Sequence, residues 1–507
     1  MTDAMRAGAR ARAPRLRILG AFACGALLAC AFAPLGCWPL AFACPAALMA
    51  LWRGATPRAA AQLGFCFSAG TFAAGTYWLY TSIHIFGEAP IWVAVGLMLA
   101  LVAIMALYQG FVGWCVARFL PRAGVLRTLI GVPALWLLIE WWRGWFLSGF
   151  AWLSLGYCLT DTWLAGFAPV LGVYGLSALV LLGAGAIVTL FEGGRRARLA
   201  AALVLLLPWP LGLALERVEW THATGQPLGV AVIQGAVPQD QKWQDANHDA
   251  TLRLYRDLTV QALGTPLIVW PEAAPPDLAN NLVDYLGTIY RMTSGHGSAL
   301  VLGVVRASDD GEQYFNSVLA LDAQGTHWYD KSHLVPFAEF FPVPGFVRSW
   351  LRLRNLPYED FTRGAPVQPP LPAAGLHLAT NICYEDAYGS TQLPVLGESD
   401  ALVNVTNDAW FGHSSARHQH FQIARMRAIE AGRYLVRAAN DGISAVIGPH
   451  GEVIARAPEF KPYVLRAAIV ARRGLPPYAY VGNYPVLLLA LAGLAAAIYA
   501  AMRHRRG

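Results

Sequence analysis

The chain has 507 residues, 56% of them hydrophobic and only 14% charged, with 18 tryptophans and a net charge of +7. A soluble domain carries roughly a quarter charged residues, so this composition excludes a chain that lies wholly in water. The basic excess does not mark a nucleic-acid partner, because the arginines sit in short loops between apolar runs.

Apolar runs of about 20 residues, the length that spans a bilayer, lie near 16–34, 37–52, 59–83, 89–117, 124–146, 163–192 and 197–214. An eighth lies near 482–502, and the second and seventh are short. Arg6, Arg10, Arg12, Arg15 and Arg17 make the N-terminus basic. Further basic loops carry Arg53 and Arg58, then Arg118, Arg122 and Arg127, then Arg195, Arg196 and Arg198, and the tail reads "RHRRG". Intervening loops such as "IHIFGEAP" are nearly free of Lys and Arg. The positive-inside rule then puts both termini in the cytoplasm and the long polar stretch outside it. The expected organisation is a membrane region over 1–216, an exported domain over 217–479, and a last span with a basic tail over 480–507. "LLAC" at 27–30 resembles a lipoprotein cleavage box, but the apolar run continues past Cys30, so a retained first span is expected. Glu140 and Arg143 are the chief ionisable residues of the membrane part. They read either as an interfacial anchor pair beside a tryptophan belt or as substrate-facing groups, and their place toward a span end argues against an ion pathway.

From about residue 227 the periodicity changes to short β-rich runs. These are 228–235, 266–272, 298–306, 315–322, 376–385, 401–408 and 443–448, with helical patterns at 247–263, 278–292 and 416–433. Strands alternating with helices, then paired strands, predict a layered α/β domain with sheets covered by helices.

Seven of the eight cysteines fall in the membrane region, which leaves Cys383 alone in the exported domain. A thiol in an oxidising compartment with no disulfide partner in its domain reads as a nucleophile or as a small packing residue. Chemistry in α/β sheets gathers at the carboxyl ends of strands. "LIVWPE" ends there in Glu272, "TNICYE" in Cys383, and "THWYDKSH" carries Lys331. A thiol attacks an acyl carbonyl as thiolate, so it needs a base. Glu272 serves if partial burial raises its pKa. Lys331 and the N–H of Tyr384 would hold the oxyanion. The competing pair is Cys383 with His333, as in cysteine proteases, but it leaves Glu272 and Lys331 without a role.

With these residues the sequence resembles the nitrilase (carbon–nitrogen hydrolase) superfamily and, joined to eight spans, its membrane-embedded apolipoprotein N-acyltransferase branch. The resemblance runs through "FAPLGCWPLAF" (32–42), "GTYWLYTSIHIFG" (75–87) and "EWWRGWFLSGFAWLSLGY" (140–157) in the membrane part. In the domain it runs through "VIQGAVPQDQKW" (232–243), "WPE" (270–272), "YDKSHLVPFAEFFP" (329–342), "ICYED" (382–386), "NVTNDAWFGHS" (404–414) and "QHFQIARMRAIEAGRYLVRAANDGIS" (419–444). It implies a helical membrane bundle of about eight transmembrane helices plus an exported nitrilase-like α-β-β-α sandwich. It also implies a Glu272–Lys331–Cys383 catalytic triad. Glu339, Tyr384 and Glu385 match supporting positions, and Trp243, Phe341 and Trp410 match substrate-binding ones. The family usually shows Asn where this chain has Ala236, Pro at Tyr434 and Thr at Asp441.

The implied reaction moves an acyl chain from a phospholipid, phosphatidylethanolamine at sn-1, through a Cys383 thioester to the α-amine of a diacylglyceryl-cysteine apolipoprotein. The implied setting is a monomer in the inner membrane of a Gram-negative bacterium, with the catalytic domain in the periplasm. A membrane-tethered amidase that uses water is the alternative. No cofactor is expected, and no metal, since "HSSARHQH" (413–420) lacks a full ligand set. The aromatic segment 340–361 reads either as a lid dipping into the outer leaflet or as a loop packed on the domain.

Overall fold

The computed structural model of the chain describes residues 3–340 and 360–506. Phe341 and most of the 340–361 segment lie outside the described residues. The chain divides into two compact units, one formed by residues 1–218, 413–422 and 481–507, the other by 219–412 and 423–480.

The first unit is helical. Among the described residues, four helices are long and apolar enough to cross a membrane: Ile91–Phe119, Trp163–Glu192, Arg195–Glu216 and Tyr484–Arg503. The other runs fall on Asp3–Leu28, Pro39–Leu51, Pro57–Gly75 and Val132–Arg143. The run at 124–146 is divided because a π-helical turn, Leu126–Gly131, precedes an α-helix of 12 residues that has a proline in its first turn. Small residues bring helices close together. A Cβ on Gly64 or Gly113 would fall 2.3 or 2.2 Å from the backbone oxygens of Gln109 and Ala60.

Glu140 and Arg143 are both buried, which corrects the reading of an interfacial anchor pair. Arg143 donates to the carbonyls of Phe150 at 2.7 Å and Trp152 at 2.8 Å, and Glu140 accepts the amide of Leu155 at 3.3 Å. Their charge is spent on the irregular segment 150–155, whose backbone has no ladder to satisfy it inside an apolar bundle. Residues 413–422 join this unit through Gln419, which accepts from the Trp152 indole at 2.7 Å and donates to the Gly75 carbonyl at 3.2 Å.

The second unit is built on strands. They are β1 (His222–Ala223), β2 (Leu228–Gln234), β3 (Leu267–Val269), β4 (Ala299–Ala307), β5 (Tyr314–Asp322), β6 (Gly325–Asp330) and β7 (Leu371–Ala373). They continue with β8 (Leu376–Ile382), β9 (Ala401–Thr406), β10 (Leu435–Ala439), β11 (Ala445–Ile447), β12 (Val453–Arg456), β13 (Tyr463–Ile469) and β14 (Arg472–Arg473). Two six-stranded sheets result, ordered β13-β2-β3-β4-β5-β6 and β12-β11-β10-β9-β8-β7. Each has a parallel centre, β2-β3-β4 in one and β8-β9-β10 in the other, extended by antiparallel strands.

Side-chain alternation decides which layer each residue enters. Val230 and Val232 of β2 join Leu378, Val403 and Val436 of the other sheet in one apolar core. Ala231 and Ile233 face the opposite way, in a second core with Tyr255 and Leu258 of the helix Asp245–Ala262 and with Leu286 and Ile289 of the helix Val283–Ser294. This is a layered α/β domain of two six-stranded sheets with helices on an outer face, the architecture the resemblance implies. It leaves the ends of β3, β6 and β8 to carry Glu272, Lys331 and Cys383.

Candidate active site

Three residues past the end of β3, the chain makes a turn in which Ala273 has φ +44°. Glu272 is buried there, and its Oε1 accepts from the Asn316 amide at 2.7 Å and from the Lys331 ammonium at 3.5 Å. Lys331 directly follows β6 and is 1% exposed. Its Nζ lies 2.8 Å from Glu339, so one ammonium is held between two carboxylates. Burial works against the Lys331 charge, but Glu339, Glu272 and Cys383 outweigh it and raise its pKa well above the usual lysine value. Asn316 bridges the same two carboxylates, donating to Glu339 Oε1 at 2.9 Å. Glu339 Oε2 accepts the amide of Val335 at 2.8 Å.

Cys383 opens the short 3-10 helix Cys383–Ala387 immediately after β8, with φ +52°. A non-glycine residue in that region is strained, and such strain gathers where a side chain must be presented at a sharp turn. Burial pushes the thiol pKa well above its ordinary value and the charge of Glu272 adds to this, while Lys331 opposes it. The structure thus brings Glu272, Lys331, Glu339 and Cys383 into one electrostatic site. Burial therefore disfavours the thiolate, and a neighbour able to accept the proton would be needed for Cys383 to act as a nucleophile.

Glu385 locks the elbow to the loop after Lys331. Its Oε1 accepts the Ser332 amide, the Ser332 hydroxyl and the His333 amide, and its Oε2 accepts the Ile382 amide and the Tyr329 hydroxyl. Burial raises the Glu385 pKa above the usual carboxylate value, against the pull of these donors. Tyr384 is buried and packs edge-on to Tyr388 at 5.3 Å, and the Tyr388 hydroxyl donates to its oxygen at 3.1 Å. The His333 ring packs against Tyr388 with centroids 3.8 Å apart and the planes tilted by 35°. Trp243 and Trp410 are 51% and 40% exposed, and Phe341 is outside the described residues.

Beneath the elbow, Arg437 of β10 is fully buried and forms ion pairs with Asp386 at 3.2 Å and Asp408 at 2.9 Å. It also donates to Asn404, whose own amide donates to the Cys383 carbonyl at 3.3 Å. Sequence reasoning missed Asn316, Arg437 and Asn404. Their signal was a polar residue at an inward position of an otherwise apolar strand, in "FNSVLALD", "YLVRAAN" and "ALVNVT".

A family model for the apolipoprotein N-acyltransferase N-terminal domain matches residues 24–186, and one for carbon–nitrogen hydrolase matches residues 229–474. A relative named apolipoprotein N-acyltransferase from Methylococcus capsulatus is 39% identical, covering 94% of this chain and 95% of its own. Another of that name, from Azotobacter vinelandii, is 41% identical over 96% of this chain and 95% of its own. The solved structure of a carbon–nitrogen hydrolase from Helicobacter pylori is 19% identical with a TM-score of 0.36, over 48% of this chain and 89% of that one, too remote to bear on function.

Proposed function

This chain belongs to the apolipoprotein N-acyltransferase family, and on that premise we propose that Glu272, Lys331 and Cys383 carry its acyl transfer. The enzyme N-acylates lipoproteins, and its substrates are lipids and apolipoproteins at a bacterial membrane. The observation that carries the residue assignment is the ammonium of Lys331 held between Glu272 and Glu339, with Cys383 presented at the end of β8.

In the proposed mechanism Glu272 takes the Cys383 proton and the thiolate attacks the ester carbonyl of phosphatidylethanolamine at sn-1. Lys331 and the Tyr384 N–H hold the oxyanion. Collapse breaks the ester C–O bond, and the proton on Glu272 passes to the leaving lysophospholipid. The α-amine of a diacylglyceryl-cysteine then attacks the thioester and gives a proton to Glu272. An amide forms, and Cys383 leaves as thiolate and recovers that proton. Glu339 orients Lys331, Glu385 holds the elbow, and Trp243, Phe341 and Trp410 contact the lipid substrates. The triad needs no metal or cofactor in this scheme.

The setting completes the proposal: about eight spans, both termini cytoplasmic, residues 217–479 in the periplasm at the inner membrane, and a monomer. The alternating basic loops support that topology. Anchoring the enzyme suits its substrates, since withdrawing an acyl chain from a bilayer costs about 0.8 kcal/mol per CH₂. The test is to incubate the purified enzyme with labelled phosphatidylethanolamine and search Cys383 for a hydroxylamine-labile acyl group by mass spectrometry. A diacylglyceryl peptide should discharge it as an N-acyl product. Absence of the acyl-enzyme, or discharge by water with no gain from the peptide, would overturn the mechanism.

A further inference from the structure

A second buried lysine grips the other end of Glu272. Lys242, on the connection from β2 to the helix Asp245–Ala262, is 1% exposed, and its Nζ donates to the Glu272 carbonyl at 3.2 Å. The carboxylate of the same residue is held by Asn316 and Lys331. Glu272 is therefore fixed at its backbone from one side and at its side chain from the other.

The turn needs such a hold. Ala273 is left-handed at φ +44°, and a Cβ on Gly303 would fall 2.5 Å from the Glu272 Cα, so β4 presses on the turn from behind. The Gly303 amide and carbonyl bond Pro271 and Ala274 at 3.2 and 2.9 Å, but neither reaches the Glu272 carbonyl. A neutral donor would satisfy that carbonyl. A lysine there also places a positive charge close to the Glu272 carboxylate, at a desolvation cost that a structural contact does not require. Burial lowers the Lys242 pKa to about 8, and the attraction of Glu272 partly offsets this. Glu272 is the charged group that acts on Lys242; Glu272 itself also faces Lys331, with Glu339 and Cys383 beyond.

We propose that Lys242 is a positioning residue for the general base, fixing the Glu272 turn through its carbonyl and favouring the ionised carboxylate that receives the Cys383 proton. The inference rests on the reading of Glu272 as that base. It separates two cations by task. Lys331 faces the reacting acyl group, and Lys242 acts only through Glu272.

The experiment measures single-turnover acylation of Cys383 by labelled phosphatidylethanolamine across a pH series, with full-length enzyme in detergent. In Lys242→Met the acidic limb of the profile should move to higher pH, because the site loses a cation next to the proton acceptor. The maximal rate should also fall. Lys242→Arg should restore the position of the limb. A slower Lys242→Met enzyme with an unmoved limb would reduce the lysine to a structural contact and overturn the proposal, as would an arginine variant as displaced as the methionine one. If Lys242→Met does not fold, Lys242→Gln keeps a donor without the charge, and its limb must move for the proposal to stand. Glu272→Gln separates the two readings. Acyl-enzyme formed by that variant would remove Glu272 as base, whereas its absence beside an unmoved Lys242→Met limb would sink the Lys242 inference alone.

Discussion

Glu385 reaches Ser332 across 53 positions of sequence, and the Ser332 amide and hydroxyl both donate to the same carboxylate oxygen, at 2.7 and 2.8 Å. This contact ties the turn at Cys383 to the loop that follows Lys331, so the Cys383 thiol and the Lys331 ammonium are placed by one shared group. Replacing Glu385 with Gln turns an NH2 donor toward these donors and leaves buried N–H groups unpaired, at about 1–3 kcal/mol each. Glu385→Gln is expected to lower the thermal unfolding temperature and abolish Cys383 acylation. Ser332→Ala removes a single O–H donor and should cost about 1 kcal/mol with activity largely kept. Equal damage from both would mean that the Ser332 hydroxyl contact alone, and not the full set of donors gathered by the carboxylate, sets the loop.

The pH behaviour of Cys383 follows from its surroundings. Burial and the Glu272 charge raise its pKa, so at neutral pH the thiolate fraction is below that of a free cysteine. Alkylation by iodoacetamide should be slow near pH 7 and climb as pH rises toward the raised value. Lys331 pulls in the opposite direction, so Lys331→Met should raise the thiol further and slow alkylation at each pH. Mass-spectrometric counting of modified Cys383 measures this. Fast neutral alkylation in wild type would show a resting thiolate and make the base unnecessary.

The buried pairing of Arg437 with Asp386 and Asp408 gives a stability prediction. Removing one partner from a buried ion pair strands the others, at about 3–5 kcal/mol. Arg437→Met should therefore lower the unfolding temperature by roughly ten degrees or prevent accumulation of the protein. Arg437→Lys keeps the charge but not the fork that reaches two carboxylates at once, and should fall between. Unchanged melting in Arg437→Met would show that the aspartates are neutral or hydrated.

The strand ends were legible because reactive residues terminated apolar runs in "LIVWPE" and "TNICYE". Cys383 stood out by elimination, since the other seven cysteines lie in the first, helical unit. The meeting of Glu272 with Glu339 was beyond reach of any local pattern, because they come from different loops and are bridged by Asn316, a polar residue that in sequence reads as an interruption of a strand. Of the two readings of Glu140 and Arg143, the interfacial one fails for a related reason. Their neighbours are tryptophans that suggest an interface, whereas their true partners are backbone groups of an irregular segment that periodicity does not mark.

Ala236, a position where the resemblance implies Asn, carries a physical cost: its φ is +48°. The left-handed region costs an ordinary L-residue about 1–2 kcal/mol, and Asn less because its side chain bonds locally. Its amide donates to the Asn440 carbonyl at 2.6 Å, which holds the backbone in that conformation. Ala236→Asn should therefore raise the unfolding temperature by a few degrees with activity unchanged. Ala236→Gly removes the strain but adds about 0.5–1 kcal/mol of backbone entropy to the unfolded chain, so its gain should be smaller. Ala236→Val, branched at Cβ, should lose stability. The same loop continues to Lys242, so the valine variant should also slow Cys383 acylation. A melting series in detergent that failed to follow the order Asn, Gly, Ala, Val would show that strain at this turn is relieved elsewhere.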